Sequence, residues 1–386
     1  MRTPRGTRAL SGTRALSGTR TLGAAVMTVA LLATAACGSS ASPDAASNSA
    51  TPGASGSRAP LNSLTPLPDP LAFHGPSTAK LTDRAIDPVA GPQQPKLPAT
   101  VVSHDRSGDR DVTITDATRV VPLDIAGSIA GTMAGLGLTN RIVGRDVASV
   151  FPGVSNVPVV TQDSVSINAE AVLNLKPTLV VTDGTIGPRD VIEQFRDAGI
   201  TVVFLDNTPS FTGAAQLARD VAAVFGLSEV GGKLATKITA DVDATTTAIA
   251  RLRGQTKPLR MVFLYLRGSA GIYYLFGQQN GASDLIDHLG GFDVATEQRW
   301  HAYFPMTDEA MVKANPDLIL VMTDGLASVG GVDKLLRSKP AIALTNAGKH
   351  RRFVDMADGD ILSFGPRSAQ VLDALARAVY APGPPS

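Results

Sequence analysis

From Arg119 onward, short apolar runs alternate with helical patterns, and the alternation is interrupted only once. Before the break, strands are expected at Arg119–Pro122, Ile142–Gly144, Val157–Val160, Leu179–Thr182 and Val202–Leu205. Helices are expected between them at Ala126–Gly135, Ala169–Leu175 and Arg189–Ala198. Such alternation predicts an α/β fold with a mostly parallel sheet, because parallel neighbours need a crossover segment. From Ser210 to Arg253 there is no strand signal. Phe211–Phe225 reads as one helix closed by Gly226, and Glu229–Arg253 as a longer one. At about 1.5 Å per residue, the longer one exceeds 30 Å. Strands resume at Arg260–Tyr265, Ile272–Phe276, Leu318–Met322 and Phe353–Met356, and Ala369–Val379 reads as a closing helix. The pattern predicts two α/β lobes, over 98–228 and 256–386, with a bridging helix over 229–255.

An internal repeat supports this division. Asn168-Ala-Glu170-Ala-Val-Leu-Asn-Leu-Lys-Pro177-Thr-Leu-Val resembles Thr307-Asp-Glu309-Ala-Met-Val-Lys-Ala-Asn-Pro316-Asp-Leu-Ile. Each copy runs through an acid, a short amphipathic helix, a proline and an apolar strand. Both strands then reach Thr-Asp-Gly, at 182–184 and 323–325. Ahead of the first lobe, Thr100–Ser103 and Asp111–Ile114 flank Arg106–Asp109 as a hairpin.

The N-terminus is of another kind. Arg2, Arg5, Arg8, Arg14 and Arg20 form a basic region, partly through a repeated Gly-Thr-Arg-Ala-Leu-Ser at 6–11 and 12–17. The apolar run Leu22–Ala36 is shorter than the roughly 20 residues that span a bilayer. This is the pattern of a signal peptide, over 1–37. It ends in Ala33-Thr34-Ala35-Ala36-Cys37-Gly38, which resembles a bacterial lipobox whose thiol is acylated, although Thr34 stands where Leu is preferred. Cys37 is the only cysteine, so an intrachain disulfide is excluded. Residues 38–97 are rich in Ser, Ala, Pro and Gly and read as a disordered tether, with His74 a bystander in it. The net charge is +1 with scattered cations, which gives no nucleic-acid surface.

The stretch Asn168–Pro177 is similar to the signature of solute-binding proteins for siderophores, heme and cobalamin. Further stretches resemble the branch of HmuT-type hemin-binding lipoproteins of Gram-positive importers: Val159–Gln162, Pro177–Gly187, Phe263–Gly271, Gly325–Asp333 and Leu362–Pro366. The resemblance covers about Thr100 to Tyr380. It implies two Rossmann-like lobes joined by one long α-helix, the type III periplasmic-binding-protein fold. It also implies a monomer on the extracytoplasmic face of a Gram-positive membrane, with an ABC permease and ATPase as partners and heme b as transported ligand.

Within that family, heme is held by an axial His from the first lobe and an axial Tyr from the second. Tyr265 matches the Tyr, Arg267 an Arg that bonds it, and Met322 a Met near the heme. Phenolate suits ferric iron, and a cation two residues away favours the phenolate. The axial His has no counterpart: Asp163–Asn168 contains no histidine, and Val165 or Ser166 occupies its place. Heme could then be five-coordinate, another side chain could replace the His, or the ligand could be a ferric siderophore or cobalamin. His301, in Arg299-Trp-His-Ala-Tyr-Phe-Pro305, is the replacement candidate, with Trp300, Tyr303 and Phe304 available for stacking. Arg145, Arg267, Arg299 and Arg367 are candidates for ligand carboxylates. Glu170 and Glu309, matched in the repeat, correspond to family acids that dock on permease arginines. No nucleophile elbow, phosphate loop, zinc-spaced His pair or active cysteine is present, so a binder is expected rather than an enzyme.

Overall fold

The computed structural model describes residues 58–162 and 165–383. The signal peptide, Cys37 and the first part of the expected tether lie outside the described residues. Strands are numbered in chain order: β1 Ser77–Ala79, β2 Ala99–Asp105, β3 Gly108–Ile114, β4 Val120–Leu123, β5 Thr161–Gln162, β6 Ser166–Ile167, β7 Leu179–Thr182, β8 Thr201–Phe204, β9 Arg260–Arg267, β10 Ile272–Phe276, β11 Phe292–Asp293, β12 Tyr303–Pro305, β13 Leu318–Met322 and β14 Phe353–Met356.

In the first lobe, β4, β7 and β8 form a parallel sheet in that order. The strands expected at 142–144 and 157–160 reduce to single bridges, Val120 to Ile142 and Arg145 to Val159. Pro158 has no N–H to extend a ladder. The β2–β3 hairpin turns more tightly than expected, through Arg106-Ser107. It is fixed to the lobe by Ser103 Oγ, which accepts from the Phe204 amide at 2.9 Å, and by an ion pair of Asp105 with Arg196.

The second lobe carries a mixed sheet in the order β1-β14-β13-β9-β10-β12, with β11 beside the start of β9. β9, β13, β14 and β1 are parallel, whereas β10 runs antiparallel to both of its neighbours, β9 and β12. Leu318–Val321 of β13 are all buried, as a strand covered on both faces must be. The bridging helix is Ser228–Arg253. Its buried residues Leu234, Ala235, Ile238, Val242, Ile249 and Leu252 form one stripe at helical spacing, packed against helices Phe211–Val224 and Ser368–Tyr380.

The tether expected over 38–97 needs correction: from Arg58 on, the chain is part of the fold. Leu61 is in the main core, the Leu67 amide donates to Tyr380 O at 2.7 Å, and β1 pairs with β14. The segment then leaves the second lobe for the first. Arg84 pairs with Asp360 at 2.8 Å, and the amides of Val89, Gln93 and Lys96 donate to the carbonyls of Gly135, Gly137 and Phe225. At Gly137 (φ +79°) a Cβ would lie 2.0 Å from Gly91 O, so only glycine admits this crossing. Composition concealed the strap because its anchors (Leu61, Leu71, Ala79, Leu81, Ile86, Val89) stand singly among polar residues and prolines. Leu61 and Ala79 are buried and the other four half-buried, by the lobes rather than by their neighbours in sequence. His74, exposed on this strap, lies with its ring 4.3 Å from that of His350.

The lobes also touch directly. The Phe211 amide donates to Asp284 Oδ2 at 2.7 Å, and the rings of Phe211 and Phe364 meet edge to face at 5.0 Å. Gly281 (φ +77°) lies so close to Pro209 that a Cβ would sit 2.7 Å from its carbonyl oxygen.

Candidate ligand cleft

The segment after β14 meets the first lobe, since a Cβ at Gly359 would lie 2.8 Å from Ala148 O; α/β folds place ligands at such strand ends. On the second lobe, period-two alternation along β9 sends Phe263, Tyr265 and Arg267 to one side. Antiparallel β10 sets Tyr274 opposite Tyr265, and Phe276 comes next on the same face. The result is an aromatic wall: Tyr265 stacks on Phe276 with centroids 5.1 Å apart, and Tyr303 of β12 meets Phe276 at 5.2 Å. Tyr303 is 58% exposed at the rim of this wall.

Arg267 is the hub. Its guanidinium lies 4.5 Å from the centre of the Tyr265 ring, pairs with Asp358 Oδ2 at 3.0 Å, and reaches Met322 Sδ at 3.9 Å. Tyr265, Arg267 and Met322, expected together from the sequence, therefore meet in one cluster. Asp358, which the sequence analysis did not single out, completes it; Asp358 also accepts from the Asp324 amide at 2.9 Å. Burial pushes the Tyr265 phenol above its usual range, and the neighbouring Arg267 charge only partly opposes this. Arg267 thus favours the phenolate, as expected from the sequence, but burial outweighs it. Burial likewise raises the Asp358 carboxyl.

The remaining arginines are committed elsewhere. Arg367 is 5% exposed and bonded to Asp360 at 2.8 Å, so it does not face a ligand; desolvating it without that carboxylate would be costly. Arg145 donates to the carbonyls of Val157, Asp146 and Ser149. Arg299 adopts a left-handed conformation at the end of helix Val294–Gln298. With His301, Tyr303, Phe304, Glu309 and Lys313 it lines a cavity of about 490 Å³ that meets the aromatic wall at Tyr303. His301 is exposed there, 3.1 Å from Gln278 Oε1, and does not join the Tyr265 cluster. Trp300 is not a stacking surface: it is 8% exposed and packed flat on Phe304.

On the first lobe, three aspartates stand at successive strand ends. Asp124 follows β4 and accepts from the amides of Ser128 and Ile129. Asp146 accepts from Ser149 at 2.8 Å, and Asp183, after β7, from Thr185 and Asn207. Burial raises all three, Asp124 well above the carboxylate range and Asp146 to about 6. β5 and β6 form the small hairpin beside them, with Ser166 bridged to Gly187. Among the described residues no group of three or more His, Cys, Asp or Glu can hold a metal ion, and no helix is long and apolar enough to cross a membrane.

The family model described as periplasmic binding protein matches residues 125–358, from just past β4 through the Tyr265–Arg267–Asp358 cluster. The chain belongs to the periplasmic binding protein family. Among solved structures it is similar to the heme binding protein HmuT, with 40% identity and a TM-score of 0.76 over 81% of this chain and 99% of that one. The periplasmic heme-binding protein RhuT from Roseiflexus sp. RS-1 is 32% identical, with a TM-score of 0.62 over 69% of this chain and 98% of that one. Among curated proteins, an uncharacterized ABC transporter substrate-binding lipoprotein of Bacillus subtilis (strain 168), YvrC, is 27% identical over 72% of this chain and 85% of its own length. The two-lobed architecture with one bridging helix is that of the type III binding proteins, and periplasmic binding proteins of this kind serve transport.

Proposed function

We propose that this chain is the lipid-anchored, monomeric substrate-binding component of a Gram-positive ABC importer. It captures heme b as hemin in the interlobe cleft and delivers it to the permease without catalysing a reaction. The observation that carries this reading is the Tyr265–Arg267 pair on its aromatic wall, in a chain 40% identical to HmuT. In the HmuT variants of known structure, the replaced tyrosine and arginine stand two positions apart, as Tyr265 and Arg267 do. The replaced histidine stands 99 positions before the tyrosine. The same interval counted back from Tyr265 reaches Ser166, whose hydroxyl is a poor ligand for ferric iron.

Tyr265 is then the axial ligand and the iron is held from the second lobe alone. Ferric iron takes the phenolate, so the phenol gives up its proton to solvent on binding. Arg267 stabilises the anion that forms, and Met322 packs beside the ring. Acylation of Cys37 holds the protein at the extracytoplasmic face, and Glu170 and Glu309 meet the permease. Ser166 at the histidine position favours one second reading, a ferric-siderophore or cobalamin-type ligand in the same cleft. An absorption titration with hemin separates the two. We expect a Soret band at one equivalent that Tyr265→Ala abolishes and His301→Ala leaves intact. An unchanged spectrum, with a thermal midpoint raised by ferric siderophores instead, would reject heme.

A further inference from the structure

The two halves of the internal repeat fold alike to a degree that ligand binding does not require. Helix Ala169–Asn174 is capped by Asn168, whose Oδ1 accepts from the Ala171 amide at 3.0 Å. Helix Asp308–Ala314 is capped by Thr307, whose Oγ1 accepts from the Ala310 amide at 3.1 Å. Val172 and Met311, at matching positions, are both fully buried and fix the rotation of each helix. Lys176 and Asn315, again matched, both turn left-handed, with φ of 47° and 38°.

With rotation and ends set alike, both helices present the same pair outward. Glu170 and Glu309 are exposed, and neither has an ion-pair partner among the described residues. One turn further on stand Leu173 and Val312, 36% and 47% exposed. Residues three apart on a helix are neighbours on its surface. A lone exposed aliphatic residue is ordinary. An aliphatic residue beside an unpaired acid, repeated at the matched position of the other lobe, is a patterned surface.

We propose that Leu173 and Val312 are apolar anchors, each inserting into a socket that adjoins a cation on one half of a two-fold permease. The inference rests on the docking role given above to Glu170 and Glu309. Two like pads call for two like sockets, which a paired membrane partner of an ABC importer presents. A second copy of this chain is disfavoured, because like pads would bring carboxylate against carboxylate. In such a contact the acids set orientation and approach rate, while desolvation of the aliphatic groups slows release.

The test uses the full lipoprotein and its own permease–ATPase complex in nanodiscs, with docking affinity measured across a salt series and hemin affinity measured alongside. Leu173→Ala with Val312→Ala should weaken docking tenfold or more, leaving the salt slope and the hemin titration unchanged. Glu170→Gln with Glu309→Gln should flatten the salt slope. Leu173→Met with Val312→Ile should restore wild-type docking. Wild-type docking by the alanine pair, with the glutamine pair impaired, overturns the anchors while leaving the acids in place. Wild-type docking by both pairs, with hemin still bound, overturns the docking face itself. An effect confined to one lobe, or a concentration-dependent dimer abolished by the alanine pair, overturns the paired-socket assignment.

Discussion

At the level of single residues, the cleft is a competition between burial and charge. Burial raises the Tyr265 phenol further above its ordinary range, so ligation of ferric iron through Tyr265, as proposed, would release a proton. Hemin affinity should therefore rise with pH, by up to about tenfold per pH unit below the phenol pKa, and stopped-flow or titration series at pH 6–9 would measure it. Tyr265→Phe should remove both the binding and the slope. Asp358 holds the Arg267 cation that would otherwise act on the phenol alone. Asp358→Asn should lower the Tyr265 pKa and strengthen hemin binding a few-fold at pH 7. Asp146 gives a signed effect on stability. Its folded-state pKa is raised to about 6, so the stability it contributes is present in full below about pH 4 and lost as pH rises through 6. The thermal midpoint should rise from pH 7 to pH 5 in the wild type, and by less in Asp146→Asn. Tyr265 and Arg267 were legible through the family resemblance, and a strand's period of two puts them on one side. Asp358 was not, since only the packing of a later helix brings it to Arg267.

Among the elements, the strands that the sequence disclosed best are those buried on both faces. Leu179–Thr182, Leu318–Met322 and Phe353–Met356 are found at the expected residues, each an uninterrupted run of mostly apolar side chains, and so is the only partly buried Ile272–Phe276. β1 could not be read, because Ser-Thr-Ala carries no alternation and owes its place to the open edge of β14. The strap that contains it is secured by Arg352, almost wholly buried. Its guanidinium donates to Ser77 Oγ at 2.8 Å and to the carbonyls of Ala378 and Val379, under the ring of Phe73 at 4.5 Å. Arg352→Ala should destabilise the protein by about 3 kcal/mol in chemical denaturation, through lost bonds to a charged donor and a cavity. Amides of residues 75–79 should exchange hydrogen faster in that variant.

For the whole molecule, the bridging helix is one of two covalent crossings between the lobes, and the strap is the other. The direct contacts through Phe211, Asp284 and Phe364 close the floor of the cleft. Two crossings and a packed floor leave little room for hinge motion. Small-angle scattering should show a radius of gyration that shifts by less than about 1 Å on hemin binding, against the larger closures of hinged binding proteins. The two lobes and the helix between them were legible because strand–helix alternation and its interruption are long-range patterns. The second crossing was not, because an extended segment without periodicity leaves no such pattern.

The strap also alters how the protein explores space. A free chain over residues 38–97 would let the folded part wander up to about 210 Å from Cys37 at full extension. Arg58 is already part of the fold, so residues 38–57 can span at most about 70 Å. With Cys37 acylated as proposed, a tether of about a third the length would confine the fold to a smaller volume, which scales as the 3/2 power of tether length. The effective concentration of a loaded cleft before its permease would then rise about fivefold, with no new contact between them. The residues that tie the strap to the lobes thus act on encounter frequency as well as on stability.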